Sequence, residues 1–171
     1  MTAKQYNIIV VIMIPNHVDL AGSPWPVLPA GIHSASLADV QARFASNPKR
    51  RVQFRGLVAA LYNLRGAGCQ RAFLDGSFVT AKPRPGDFDA CWDPTGVDRA
   101  FLDPVLLTFE NNRAAQKAKY HGELFPSTIP ADRAGTIFVE FFQVDRFTGA
   151  AKGIVAIDLT ADPMLQPTVT S

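Results

Sequence analysis

Two acidic residues one position apart, Asp87 and Asp89, interrupt a stretch that is otherwise apolar: Phe88, Ala90, Cys91 and Trp92. Asp87 to Trp92 reads as a short strand closed by the turn Asp93-Pro94-Thr95-Gly96. Side chains alternate along a strand, so Asp87 and Asp89 share one face while Phe88 turns to the core. Like charges side by side are unfavourable unless a cation or strong donors compensate. Oxygen-only ligands on a strand suit Mg²⁺ or Mn²⁺ better than zinc. Upstream, Arg71 to Leu74 reads as a second short strand, and Asp75-Gly76-Ser77 turns out of it. Glycine permits close backbone approach, and a serine hydroxyl beside free N–H groups makes a phosphate cradle. The connecting loop, with Lys82-Pro83-Arg84-Pro85-Gly86, is tight. A hairpin of this kind brings a phosphate holder and a metal holder together.

The flanking segments predict an α+β domain of short strands and helices. Pro15 to Ile32 carries Pro15, Pro24, Pro26 and Pro29, which predicts an extended arm pinned by Trp25, Val27 and Leu28, with Trp25, between two prolines, alternatively a partner contact. Ser36 is a helix N-cap, with Asp39 completing a variant capping box. Val52, Phe54, Leu57, Val58, Leu61 and Leu64 repeat at helical spacing, so an amphipathic helix runs to Gly66 or Gly68. Its start holds Lys49, Arg50, Arg51 and Arg55, a solvated helix end or a phosphate or RNA contact. Helices are also expected over Val97 to Phe109, Asn111 to Tyr120 and the Phe-rich segment Ile137 to Val144. Brief strands are expected at Glu123 to Phe125 and Ile154 to Leu159. The domain boundaries read as an arm over 1–30, a body over 31–160 and a tail over 161–171.

A chain of 171 residues fits one domain. A net charge of +2 does not argue for nucleic acid by itself. Its distribution is uneven: residues 1–86 hold 10 Lys/Arg and 3 Asp, whereas residues 87–171 hold 7 Lys/Arg and 12 Asp/Glu. Either the halves neutralise each other, or they form a cleft with a basic wall and an acidic floor, as a metal–polyphosphate site needs. Cys69 and Cys91 form no CxxC pair, so the expectation is buried, reduced thiols in a cytoplasmic protein. The apolar run Ile8 to Ile14 is seven residues long, far short of the ~20 that span a bilayer, so no membrane partner is expected. Met13 is an alternative start, with residues 1–12 upstream of it.

The run Leu74-Asp75-Gly76-Ser77, followed after nine residues by Asp87-Phe88-Asp89, resembles the signature of the nucleotidyltransferase (polymerase-beta-like) superfamily. Phe73 to Asp89 as a whole looks like small bacterial minimal-nucleotidyltransferase relatives, and Leu28 to His33 and Lys152-Gly153-Ile154 also look similar to that group. The resemblance spans about residues 28–160. It implies a short mixed β-sheet flanked by helices, with Gly76 and Ser77 holding a triphosphate. Asp87, Asp89 and a third carboxylate would hold two metal ions. By position the third is Glu123, with Glu140 the alternative; the superfamily usually has Asp there. Lys82, Arg84, Lys117, Lys119 and Lys152 are candidate phosphate partners, and Lys82 and Lys152 are taken as the nucleotide-phosphate ligands. His17, His33 and His121 share no motif and read as structural. The activity implied is metal-dependent transfer of a nucleotide from an NTP to an RNA or protein acceptor, in a toxin–antitoxin or phage-defence setting with a cognate partner protein. The alternative is a non-catalytic nucleotide-binding or interaction module that keeps the fold. A DxD glycosyltransferase is disfavoured by the shortness of the chain.

Overall fold

The computed structural model describes residues 14–167; most of the Ile8 to Ile14 run and the alternative start at Met13 lie outside them. The first helix begins where the capping box predicts. Ser36 Oγ accepts from the Asp39 N–H at 3.1 Å, and the Asp39 carboxylate accepts from the Ser36 N–H at 3.0 Å. This starts α1, Leu37–Phe44. Asn47 caps α2, Pro48–Gly66, with Pro48 in its first turn. Phe54, Leu57, Ala60, Leu61 and Leu64 form the buried stripe of α2.

The strands are β1 (Gly31–Ser34), β2 (Arg71–Asp75), β3 (Phe88–Trp92), β4 (Gly122–Pro126) and β5 (Gly153–Asp158). They form one mixed sheet in the order β1-β5-β2-β3-β4. The β2–β3 and β2–β5 pairs are antiparallel, while β1–β5 and β3–β4 are parallel. The architecture is therefore α+β, as the sequence predicts. The end of the proline-rich arm differs from expectation. From Gly31 it becomes β1, which among the described residues pairs with β5 alone, and the prolines stop at Pro29.

One face of the sheet buries Ala72, Leu74, Phe88, Ala90, Trp92, Leu124, Val155 and Ile157 against α1 and α2. The opposite face carries Phe73, Cys91, Phe125, Ile154 and Ala156 under the rings of Phe138 and Phe142. Phe125 and Phe138 stack with centroids 4.0 Å apart. That second cover comes from α4, Phe138–Phe141, which is a single turn and much shorter than the helix expected over Ile137 to Val144. Phe138 and the following Phe142 pack onto this second cluster, while Phe141 stays exposed.

Val97 to Phe109 is likewise not an α-helix. It makes two 3-10 turns, Arg99–Phe101 and Pro104–Leu107, because Asp98 and Asp103 each cap a new start and Pro104 removes a donor. The helix α3, Glu110–Tyr120, begins with Asn111, Asn112 and Arg113 in left-handed conformation. Gly56 lets α2 meet the end of α3, since a Cβ there would stand 1.8 Å from the Tyr120 carbonyl oxygen. The C-terminal segment is more than a tail: Leu165 is fully buried, and Asp162 accepts from the Leu37 N–H at 2.6 Å. The structured body thus runs past residue 160.

Candidate functional site

Asp89 lies opposite Asp75 in the β2–β3 register and opposite Glu123 in the β3–β4 register. The three acids therefore form one row across three strands, on the sheet face that also carries Phe73, Cys91 and Phe125. They stand at the end of that face, beyond the aromatic cover. Asp87, two residues before Asp89, joins them from the loop, and Phe88 is fully buried on the other side.

Each outer acid has a cationic partner. Lys152 pairs with Asp75 and also donates to the Phe142 carbonyl at 2.6 Å. Glu123 accepts from Lys117 at 2.6 Å and Arg113 at 3.0 Å, and Lys117 lies 3.5 Å from Asp87. Asp89 differs: among the described residues no hydrogen bond or ion pair reaches its carboxylate. Burial first, then the fields of Asp75, Asp87 and Glu123, push its carboxyl up to about 8. Asp75 is also raised by its burial, against the pull of Lys152.

Gly76 fits against this row. Its φ of +78° is the left-handed region that glycine favours, and a Cβ there would stand 2.0 Å from an Asp89 carboxylate oxygen. Ser77 then opens a 3-10 turn, Ser77–Val79. The loop between the two strands is held by the N-terminal turns of α2. The buried Arg50 guanidinium donates to the carbonyls of Phe44 (3.1 Å), Phe78 (2.7 Å), Thr80 (3.0 Å) and Lys82. Gln53 donates to Pro85 O at 2.9 Å, and Asn47 to Pro83 O at 2.8 Å. His17 bonds the Val79 carbonyl at 2.8 Å.

These elements enclose a cavity of about 340 Å³, within the size range of small-molecule sites. Asp75, Gly76, Ser77, Asp87 and Asp89 line it together with Lys82 and Lys152. Of the residues expected at the site, Glu123 stands beside Asp89 but is not part of the cavity lining, and its carboxylate is engaged by Arg113 and Lys117. Glu140 is exposed on α4 and lines no part of it. Lys119 pairs with Asp103, away from the acids.

The sequence reading missed Asp75, taken there as a turn residue, although it alternates with Phe73 on the same face. It read Arg50 as part of a solvated helix end or a phosphate or RNA contact, whereas Arg50 is buried on the loop carbonyls, and it missed the other wall of the cavity. That wall carries Ser23 and Trp25 from the arm, with Asp145, Arg146 and Phe147 from the turn after α4. Apart from Trp25 between its two prolines, no local signal marks those residues, since chain segments more than a hundred residues apart meet there.

Fold and site together define an α+β domain whose described residues form a mixed five-stranded sheet, with an acid-floored cavity beside a glycine–serine turn. The chain belongs to the family of unknown function DUF6932, which matches residues 23–158. No curated protein and no solved structure matches it. Among the described residues, no helix is long and apolar enough to cross a membrane.

Proposed function

We propose that this chain binds an NTP together with Mg²⁺ or Mn²⁺ in the acid-floored cavity, and transfers a nucleotide from it to an RNA or protein acceptor as a nucleotidyltransferase-like enzyme. One observation carries the reading. Asp89, without a partner of its own among three other acids, opens onto the same cavity as Gly76 and Ser77. A carboxylate crowded by its own kind is a group that a cation relieves. Asp87 and Asp89 fit as its ligands, while Asp75 and Glu123 are engaged by Lys152, Lys117 and Arg113. The ion supplies charge neutralisation at the phosphates and a lowered pKa for an attacking hydroxyl. On the protein's side, Gly76 brings backbone close to the phosphates, Ser77 offers its hydroxyl, and half-buried Lys82 balances their charge. The Arg50 clamp holds the loop in place, so little reorganisation is needed on binding. The cytoplasmic setting, the cognate partner protein and the toxin–antitoxin or phage-defence context belong to the same reading and rest on the resemblance alone.

A second reading, a non-catalytic nucleotide-binding module, is favoured by a specific observation. Among the described residues no three His, Cys, Asp or Glu side chains are disposed to hold one ion, and lysine or arginine already neutralises two of the acids. Incubation with each labelled NTP and Mg²⁺, with and without bulk RNA, separates the two. The enzyme labels RNA or protein and loses this with Asp87→Asn. The module is stabilised by NTP with Mg²⁺ but transfers nothing. Neither labelling nor stabilisation by any NTP sinks both.

A further inference from the structure

The mouth of the cavity is apolar where its floor is charged. Trp25, Phe141, Val144 and Phe147 line it and remain 39%, 41%, 44% and 55% exposed. They come from the proline-rich arm, α4 and the turn beyond it, so the fold gathers them; sequence proximity does not. Exposed rings collected at one rim are a surface that awaits a partner.

Asp145 and Ser23 at the same rim are already hydrogen-bonded within the protein. Asp145 accepts from Ser23 Oγ at 3.2 Å through one oxygen. Through the other it accepts from the N–H groups of Phe147 (3.2 Å) and Thr148 (2.9 Å) and from Thr148 Oγ1 (2.8 Å). Ser23 Oγ also contacts Trp25 O at 3.2 Å. The Arg146 guanidinium lies over the Phe147 ring, 4.7 Å from its centroid. The rim thus offers the Trp25 ring and the open face of Phe147, while its Asp145 carboxylate and Ser23 hydroxyl are engaged within the protein and Arg146 stays exposed.

Resting on the reading above, we infer that Trp25 and Phe147 form a stacking platform for the base of the bound nucleoside triphosphate, held by its faces and not by its edge. Every base has a π-face, so stacking alone tolerates all four, and the larger purines gain more contact. Selection of one base needs hydrogen-bonding groups turned to its edge; the Asp145 carboxylate and Ser23 hydroxyl at this rim are engaged, and the Arg146 guanidinium lies over the Phe147 ring.

Trp25 is a built-in reporter, because the other tryptophan, Trp92, is buried in the core. The full chain is titrated with ATP, GTP, CTP, UTP and inorganic tripolyphosphate, each with Mg²⁺, by tryptophan fluorescence and by calorimetry. The inference predicts that all four NTPs change Trp25 emission, with affinities within about tenfold of one another and purines tighter. Tripolyphosphate binds without that change. Trp25→Ala weakens the NTPs by about tenfold to a hundredfold and leaves tripolyphosphate unchanged, while Trp25→Phe retains most of the affinity. Equal weakening of NTP and tripolyphosphate in Trp25→Ala, or a preference of a hundredfold or more for one base, overturns it. Binding of tripolyphosphate with no added affinity from any base overturns the platform alone. Failure of every ligand to bind overturns the platform together with the nucleotide reading.

Discussion

Asp89→Asn removes a charge that burial and three neighbouring acids disfavour, with almost no change in volume. The unfolded chain ionises this carboxyl near 3.8, whereas burial and the neighbouring acids hold it protonated up to about 8 in the folded protein. The folded state therefore binds more protons than the unfolded state between those values, and this term lowers stability as pH rises from about 4 to about 8. Each pH unit in that window is worth about 1.4 kcal/mol, so by pH 7 the ceiling is about 4 kcal/mol; Asn carries none of it. Without metal, Asp89→Asn is expected to be more stable than wild type, by about 1 kcal/mol near pH 5 and by about 3 to 4 kcal/mol near pH 7. The assay is urea unfolding with chelator at several pH values between 4 and 8.5. The difference between the two proteins isolates this residue from the other carboxylates that titrate. Millimolar Mg²⁺ with NTP should narrow or reverse the difference, since it stabilises the wild type by about 2.7 kcal/mol at a hundredfold excess over Kd and binds the amide variant more weakly. A variant less stable than wild type at pH 7 without metal, or a gain that does not grow with pH, would refute the reasoning and make Asp89 an ionised structural partner.

Other residues give independent tests. Gly76→Ala puts a methyl group against Asp89 at a positive φ, and should lose about 2 kcal/mol or more in denaturant melts. Lys152→Met leaves Asp75 buried without its cation. It should cost about 3 to 5 kcal/mol at neutral pH and recover as pH falls and Asp75 is protonated, read from melts at pH 7.5 and pH 5. Arg50→Met strips donors from the carbonyls of Phe78, Thr80 and Lys82; a loss of about 3 kcal/mol and faster amide exchange across residues 77–86 are expected. Both cysteines should resist thiol reagents in the folded protein, since burial raises Cys69 to about 11 and Cys91 further; rapid labelling at pH 8 would contradict that.

The parts of this protein that local rules govern were legible in its sequence. Capping at Ser36, the stripe of α2, and the period-two alternation that puts Phe88 inward and Asp87 with Asp89 outward all depend on neighbours a few residues away. The β2–β3 hairpin was legible for the same reason, as proline and glycine mark its loop, although that loop runs over residues 76–87 and holds a 3-10 turn of its own. Segments without a period were not: Val97 to Phe109 is apolar enough for a helix, yet Asp98, Asp103 and Pro104 divide it into 3-10 turns. Only the tertiary structure decided the site's electrostatics. Strand register places Asp75 and Glu123 on either side of Asp89, and register is set by pairing between strands, not by the sequence of either one. Lys152 reaches Asp75 across 77 residues, and Ser23 reaches Asp145 across 122. Contacts that close such loops follow from how the whole core packs, so the sequence named most of the residues on the acidic floor and the fold alone chose which of them were left without a partner.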